Sequence, residues 1–217
     1  ERRTPGLSDA LVRRYLQRGK QEIRQALEPF GYYDAQVDSR LEQTADGWRL
    51  RYAVRPGAPV LLRDWDIRID GPGRQEPDLL ALVRRAPWQR DVPLRHAQYE
   101  AFKRRLQQTA AGLGYLDAAY TRHQLHVDPA AHDARMVLHL ATGPRYRFGA
   151  VSFDADAGLA EELLRRFAAL EPGAPYSDAQ LLELQRALED SGYFSQVDVV
   201  PQRERTRDRA IPIHVAL

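Results

Sequence analysis

The sequence predicts an α+β array of small repeated modules, each a three-stranded mixed sheet with two helices packed on one face. Three observations predict it. The word FGYYDAQVD at Phe30–Asp38 returns as LGYLDAAYT at Leu113–Thr121 and as SGYFSQVDV at Ser191–Val199, with its glycines 83 and 78 positions apart. Before each glycine, apolar residues stand eight and four positions back, one stripe on a helix: Ile23 and Leu27, Leu106 and Ala110, Leu184 and Leu188. After each glycine come two strand-like runs. The second alternates apolar residues with polar or small ones: Trp48, Leu50, Tyr52 and Val54; Met136, Leu138 and Leu140; Ile211, Ile213, Val215 and Leu217. A period of about 80 residues exceeds that of a solenoid repeat and suits a small domain in tandem.

Taken in order, the first copy opens with a helix from about Ser8 to Pro29, with no strand before it. The second opens with the strand LLRDWDIRID, which puts Leu61, Arg63, Trp65, Ile67 and Ile69 on one face. A short helix around Pro77–Arg85 follows, then the turn PWQRDVP and a long helix from about Leu94 to Leu113, with Tyr99, Phe102 and Leu106 on its stripe. The third copy repeats this as the strand RYRFGAVSF, a helix Leu159–Leu170 with Leu163 and Phe167 inward, the turn EPGAPY, and a helix whose Ser177 and Gln180 have capping-box spacing. The unit is strand, helix, helix, strand, strand. The predicted boundaries are 1–57, 58–142 and 143–217, the first module lacking its opening strand and short helix. Only RPGAP and TGP join one copy to the next, links too short and too rich in proline to act as flexible coil.

Composition narrows the function classes. The 217 residues carry 32 Lys and Arg against 30 Asp and Glu, so there is no strong single-sign field. All but Lys20 and Lys103 of these cations are arginine and asparagine is absent, a skew that reads as codon bias rather than a binding surface. The absence of cysteine excludes disulfides and thiol chemistry. No apolar run approaches the roughly 20 residues of a membrane helix. A start at Glu1, with Met136 the only methionine, leads to the expectation of a processed or excised segment.

No catalytic, cofactor-binding or metal-binding set is predicted. His123, His126, His132 and His139 cluster in sequence, but residues three apart on a strand face opposite ways and nothing completes a tetrahedral set. There is no GxSxG, P-loop or dinucleotide fingerprint. A nucleic-acid-binding α+β module would need exposed sheet aromatics beside a basic track. Here Trp48, Trp65, Tyr146 and Phe148 fall on the phase that should face helices.

The order βααββ at this period, with Gly-Tyr joining the second helix to the second strand, resembles the POTRA domains of the Omp85 superfamily. ALEPFGYYDA, GYLDAAYTRHQLHVDP, TGPRYRFGAVSFDA and LLELQRALEDSGYFSQVDV are most similar to one branch, the periplasmic region of TamA-type subunits of the translocation and assembly module. The resemblance implies a non-enzymatic periplasmic scaffold for insertion of outer-membrane proteins such as autotransporters. It implies a TamB-like periplasmic partner, unfolded outer-membrane clients and a C-terminal membrane β-barrel of the same chain, with no cofactor and no nucleic acid. Other members, BamA-like assembly factors or two-partner secretion transporters, fit the same pattern.

Two sets of residues are singled out. Gly31, Gly114 and Gly192 are expected to end their helices in the left-handed conformation that glycine takes without a Cβ penalty, with Tyr32, Tyr115 and Tyr193 covering the helix end. The second strand of each copy is expected at a sheet edge, where backbone groups can accept a strand from a partner. It is represented by Gln36, Val37 and Asp38, by Tyr120, Thr121 and Arg122, and by Gln196, Val197 and Asp198.

Overall fold

The computed structural model describes residues 9–44, 47–154 and 170–217. Helix α1 (Asp9–Leu27) runs into a 3-10 turn at Glu28–Phe30 and is followed by β1 (Gln36–Thr44) and β2 (Gly47–Arg55). Next come β3 (Leu61–Asp70), α2 (Pro77–Arg84), β4 (Val92–Pro93), α3 (His96–Gly112), β5 (Ala119–Asp128) and β6 (Asp133–Ala141). The last group is β7 (Arg147–Phe153), α4 (Asp178–Asp190), β8 (Asp198–Pro201) and β9 (Ala210–Ala216). The helix expected over Leu159–Leu170 falls almost wholly outside the described residues.

Among the described residues three sheets form, ordered β1-β2, β4-β3-β6-β5 and β7-β9-β8. The third strand of a copy is thus central in the second and third sheets, and the second strand is outermost. One feature differs from the expected three-stranded unit. The middle sheet gains the two-residue strand β4, pairing Leu61 with Pro93 and Leu62 with Val92. Among the described residues the first sheet is the hairpin β1-β2, as expected of a copy without an opening strand, in antiparallel register with Val37 opposite Val54 and Leu41 opposite Leu50.

The chain divides into two compact units. The first comprises Glu1–Asp66, Pro87–Phe102 and His123–Val137. In it α1 lies on the hairpin: Val12 and Val37 are buried, the Tyr52 hydroxyl donates to the Leu16 carbonyl at 3.3 Å, and an added Cβ on Gly19 would collide with the Tyr52 ring. In the same unit Val60, Leu62, Leu94, Tyr99 and Met136 are buried, as is Trp88, whose ring meets Trp65 edge-on at 6.0 Å and Phe102 at 4.8 Å. Leu62 sits on the phase expected to be polar, yet it is buried. Strand β3 changes phase between Leu62 and the half-buried Trp65, as β7 does between buried Phe148 and half-buried Val151.

The second unit comprises Ile67–Ala86, Lys103–Arg122 and Leu138–Leu217. Its core joins Phe148, Tyr176, Leu181, Leu184, Leu188, Ile211, Ile213 and Val215. Strand β9 runs parallel to β7 and antiparallel to β8. The β7–β9 ladder shifts register between Phe148 and Val151, so two residues face Pro212 alone. Proline has no N–H to give the ladder, and a bulge opposite it removes the need for one. Gly149 lets the backbones close there, since a Cβ would lie 2.9 Å from the Pro212 nitrogen. Ser177 caps α4 by accepting from the Gln180 N–H at 3.5 Å.

Candidate functional site

The three repeated glycines are left-handed, with φ of 91° at Gly31 and Gly114 and 72° at Gly192. At the first two, the following tyrosine N–H reaches back into the helix, Tyr32 to the Leu27 carbonyl at 3.2 Å and Tyr115 to the Ala110 carbonyl at 2.9 Å. That is the long bond of a Schellman end, which satisfies a carbonyl the helix leaves open.

Each of these two ends is also gripped by backbone from further along the chain. The Val60 N–H donates to the Gly31 carbonyl at 2.8 Å, and the Leu94 N–H donates to the Val60 carbonyl at 2.9 Å. In the next copy the Tyr146 N–H donates to the Gly114 carbonyl at 2.7 Å, and the Tyr176 N–H to the Tyr146 carbonyl at 3.0 Å. The relay closes on the glycine itself: a Cβ on Gly31 would lie 2.9 Å from the Leu94 oxygen, and one on Gly114 would lie 2.8 Å from the Tyr176 oxygen. Glycine is therefore required twice over, for its φ and for the close approach of backbone.

Sequence reasoning found the helix end and missed the clamp, although its parts repeat. Val60 and Tyr146 each stand three residues after a positive-φ glycine, Gly57 or Gly143, which packs against Asp34 or Asp117. Leu94 and Tyr176 each close a four-residue word, DVPL or GAPY, that starts with positive φ at Asp91 or Gly173.

Side chains pin the second clamp more firmly than the first. Arg145 donates from Nε to the Leu113 carbonyl at 2.9 Å and from a terminal nitrogen to Glu76 Oε1 at 3.0 Å. The Tyr115 hydroxyl donates to the same Glu76 oxygen at 2.8 Å, and the guanidinium lies 5.6 Å from the Tyr115 ring centroid. Burial, and then the bond to Glu76, raises the Tyr115 hydroxyl above the usual tyrosine range. Tyr146 donates to the Asp117 carboxylate at 3.1 Å and is raised by burial and then by that bond. Buried Thr142 accepts from the Gly73 N–H at 3.1 Å and donates to the Asp70 carbonyl at 3.2 Å. At the first clamp the Tyr33 hydroxyl meets His96 Nε2 at 2.6 Å, and Tyr32 is half-buried.

Gly192 differs. Among the described residues nothing lies within 4 Å of where its Cβ would be. The Ser191 hydroxyl donates to the Leu188 carbonyl at 2.6 Å and accepts from the Tyr193 N–H at 3.4 Å, standing in for the long backbone bond. Tyr193 is exposed.

The strand-edge residues divide into two kinds. Val37 and Val197 are buried, so their side chains belong to cores and offer nothing to a partner. Gln36 and Asp38 are exposed on β1, where Asp38 accepts from Arg55 at 2.7 Å. Gln196 precedes β8 and donates to Asp198 at 3.0 Å. Strand β8 itself is four residues long and ends on Pro201, which shortens it as a pairing edge. Strand β5 is ten residues long and outermost, with Thr121, Arg122, His123, Gln124 and His126 exposed. Tyr120 is half-buried and ties β5 to α3 through its bond to the Lys103 carbonyl at 2.7 Å. Among the described residues no three His, Asp or Glu side chains converge as a metal site would.

Comparison with known proteins agrees with this geometry. A family model described as POTRA domain, TamA domain 1, matches residues 1–56, and one described as POTRA, surface antigen variable number repeat, matches residues 146–216. The crystal structure of Haemophilus influenzae BamA POTRA3–5 superposes with a TM-score of 0.54 at 16% identity, covering 93% of this chain and 79% of that one. The fold is that of tandem POTRA domains of the Omp85 superfamily. BamA from Haemophilus ducreyi lacking POTRA domains 1–3 gives a TM-score of 0.55 at 17% identity, over 72% of this chain and 29% of that one. The Gly-Tyr word thus follows α1, α3 and α4, and β5 and β8 lie on the outer edges of their sheets.

Proposed function

We propose that this chain is a non-enzymatic POTRA scaffold on the periplasmic face of the outer membrane of a Gram-negative bacterium, in a TamA-type assembly protein. Its modules span 1–57, 58–142 and 143–217, the first without its opening strand and short helix. They hold unfolded outer-membrane proteins such as autotransporters for insertion, alongside a TamB-like periplasmic partner and a β-barrel of the same longer protein. The observation that carries this reading is β5, a ten-residue outer strand with five exposed residues between Thr121 and His126. An open edge adds a partner strand through main-chain hydrogen bonds, which tolerate any client sequence. Each bond contributes roughly 0.5–1.5 kcal/mol net, so a few of them give a weak grip that can release. The TamA-type match at residues 1–56 favours that branch. A BamA-like assembly factor is the second reading, favoured by the two BamA structures that superpose with TM-scores of 0.54 and 0.55.

Proline substitution along β5 tests the mechanism. Successive amides of an antiparallel strand point alternately to the neighbouring strand and outward. Proline placed singly at Arg122, His123 and Gln124 therefore either breaks the β6 ladder and destabilises the fold, or removes an outward donor and spares it. The probe is a synthetic ten-residue peptide of alternating apolar and polar residues. Outward substitutions should weaken its binding about tenfold with an unchanged urea midpoint. Unchanged peptide affinity in every folded variant would overturn edge capture.

A further inference from the structure

The hairpin β1-β2 turns one face to α1 and the other away from it. Tyr52 is on the α1 side, since its hydroxyl reaches the Leu16 carbonyl, and Val37 is buried on the same side. The alternate positions therefore face outward: Gln36, Asp38, Arg40 and Glu42 on β1, and Arg49, Arg51, Ala53 and Arg55 on β2. This face sets four arginines against two carboxylates. The carboxylates are matched to two of them: Asp38 accepts from Arg55 at 2.7 Å, and Glu42 stands opposite Arg49. The other two, Arg40 and Arg51, stand directly opposite each other, and both are exposed. Like charges opposed across an antiparallel pair destabilise it, so sheet formation does not favour this pairing.

The surface beside the two arginines is hollow. Ala53, opposite Asp38, is too small to fill its place in the face, and a cavity of about 410 Å³ opens there, lined by Asp38, Ser39, Arg40, Arg51, Tyr52 and Ala53. All of these residues belong to the first unit. The carboxylate on the rim, Asp38, is balanced by its bond to Arg55.

We propose that Arg40 and Arg51 form an anion site that takes one phosphate monoester in this hollow. Two guanidiniums put two positive charges and two planar donor forks in one place. A phosphate monoester supplies close to two negative charges and three acceptor oxygens, enough for both forks. A carboxylate supplies one charge and two oxygens, which a single guanidinium takes up, and the second arginine stays unmatched. Free phosphate and a lipid headgroup share this chemistry, and the experiment separates them. The site does not depend on strand capture at β5, so either can fail alone.

Binding of inorganic phosphate to the 217-residue chain, followed by phosphorus NMR line broadening, is the first arm. Flotation with phosphatidylcholine vesicles that contain phosphatidic acid is the second, with pure phosphatidylcholine as the blank. Arg40→Gln and Arg51→Gln should each weaken whichever probe binds by about tenfold or more. Arg84→Gln, exposed on α2, should change it by less than about twofold. Binding on the first arm alone makes the ligand a free phosphate, and binding on the second makes it a lipid headgroup. Removing one arginine also ends the like-charge contact, so both variants should keep or raise their urea midpoint in phosphate-free buffer; a fall in both overturns the argument from repulsion. No binding of either probe, or binding unchanged in both variants, overturns the site. Preference for a poly-glutamate peptide over phosphate overturns it too, since the partner is then an acidic protein.

Discussion

Replacing Gly114 with alanine separates a helix cap from a clamp. Two costs add at this position. A non-glycine residue held at left-handed φ, here 91°, costs roughly 1–2 kcal/mol. The new Cβ would also stand 2.8 Å from the Tyr176 carbonyl oxygen and 3.2 Å from its Cβ, so the clamp must open. Such overpacking costs about 1–3 kcal/mol. Gly114→Ala should therefore lose about 2–5 kcal/mol, whereas Gly192→Ala meets only the first cost, because none of the described residues lies near its Cβ. Gly31→Ala should match Gly114→Ala, with its Cβ 2.9 Å from the Leu94 oxygen. Urea unfolding followed by far-UV circular dichroism measures all three, with tryptophan fluorescence reporting the first unit, which holds Trp48, Trp65 and Trp88. If Gly114→Ala and Gly192→Ala lose the same stability to within about 0.5 kcal/mol, the glycines are caps alone and the clamp contributes nothing.

Further outcomes follow from the same geometry. Thr142→Val should cost about 1–3 kcal/mol in urea unfolding, because it strips the buried Gly73 N–H of its acceptor; a neutral result would show that the amide finds another partner. Asp208 and Arg209 hold φ of 49° and 63° in a two-residue turn closed by mutual Arg207 and Ala210 bonds, a conformation that favours glycine. Arg209→Gly should accordingly raise stability by about 0.5 kcal/mol or more, and a loss would contradict the strain. Burial, then the bond to Asp178, pushes the Tyr176 hydroxyl up to about 12. Its contribution is complete below the unfolded tyrosine value of about 10 and disappears as pH rises through about 12. Urea midpoints should fall across that window, and fall less in Tyr176→Phe; identical profiles would remove Tyr176 as a cause.

Most of the fold was legible because two periodicities carried it. The stripe Leu184 and Leu188 and the alternation Ile211, Ile213, Val215 end up buried where pattern alone placed them. Strand β4 was illegible because two residues are too few to show a period, and Leu62 was misplaced because a phase change in β3 leaves no mark on composition. The long helix begins at His96 rather than Leu94 because Val92 and Pro93 are held extended against β3 and the Leu94 N–H carries that pairing on to the Val60 carbonyl, between residues 34 positions apart. For the site, the left-handed glycines were readable from type and position. The clamp was not, since it is backbone bonded to backbone and no side chain announces it. Its one trace is the alignment of DVPL with GAPY and of Gly57 with Gly143. Edge strands were placed by topology, but the inward turn of Val37 and Val197 needed coordinates.

The central claim, that an open POTRA strand edge captures an extended client, is tested most directly by amide hydrogen exchange with and without the alternating ten-residue peptide. Capture predicts new protection along β5, Ala119–Asp128, at every second amide, with the β6 ladder unchanged. Protection confined to the surfaces of α1 or α3, with β5 exchanging as before, would contradict it.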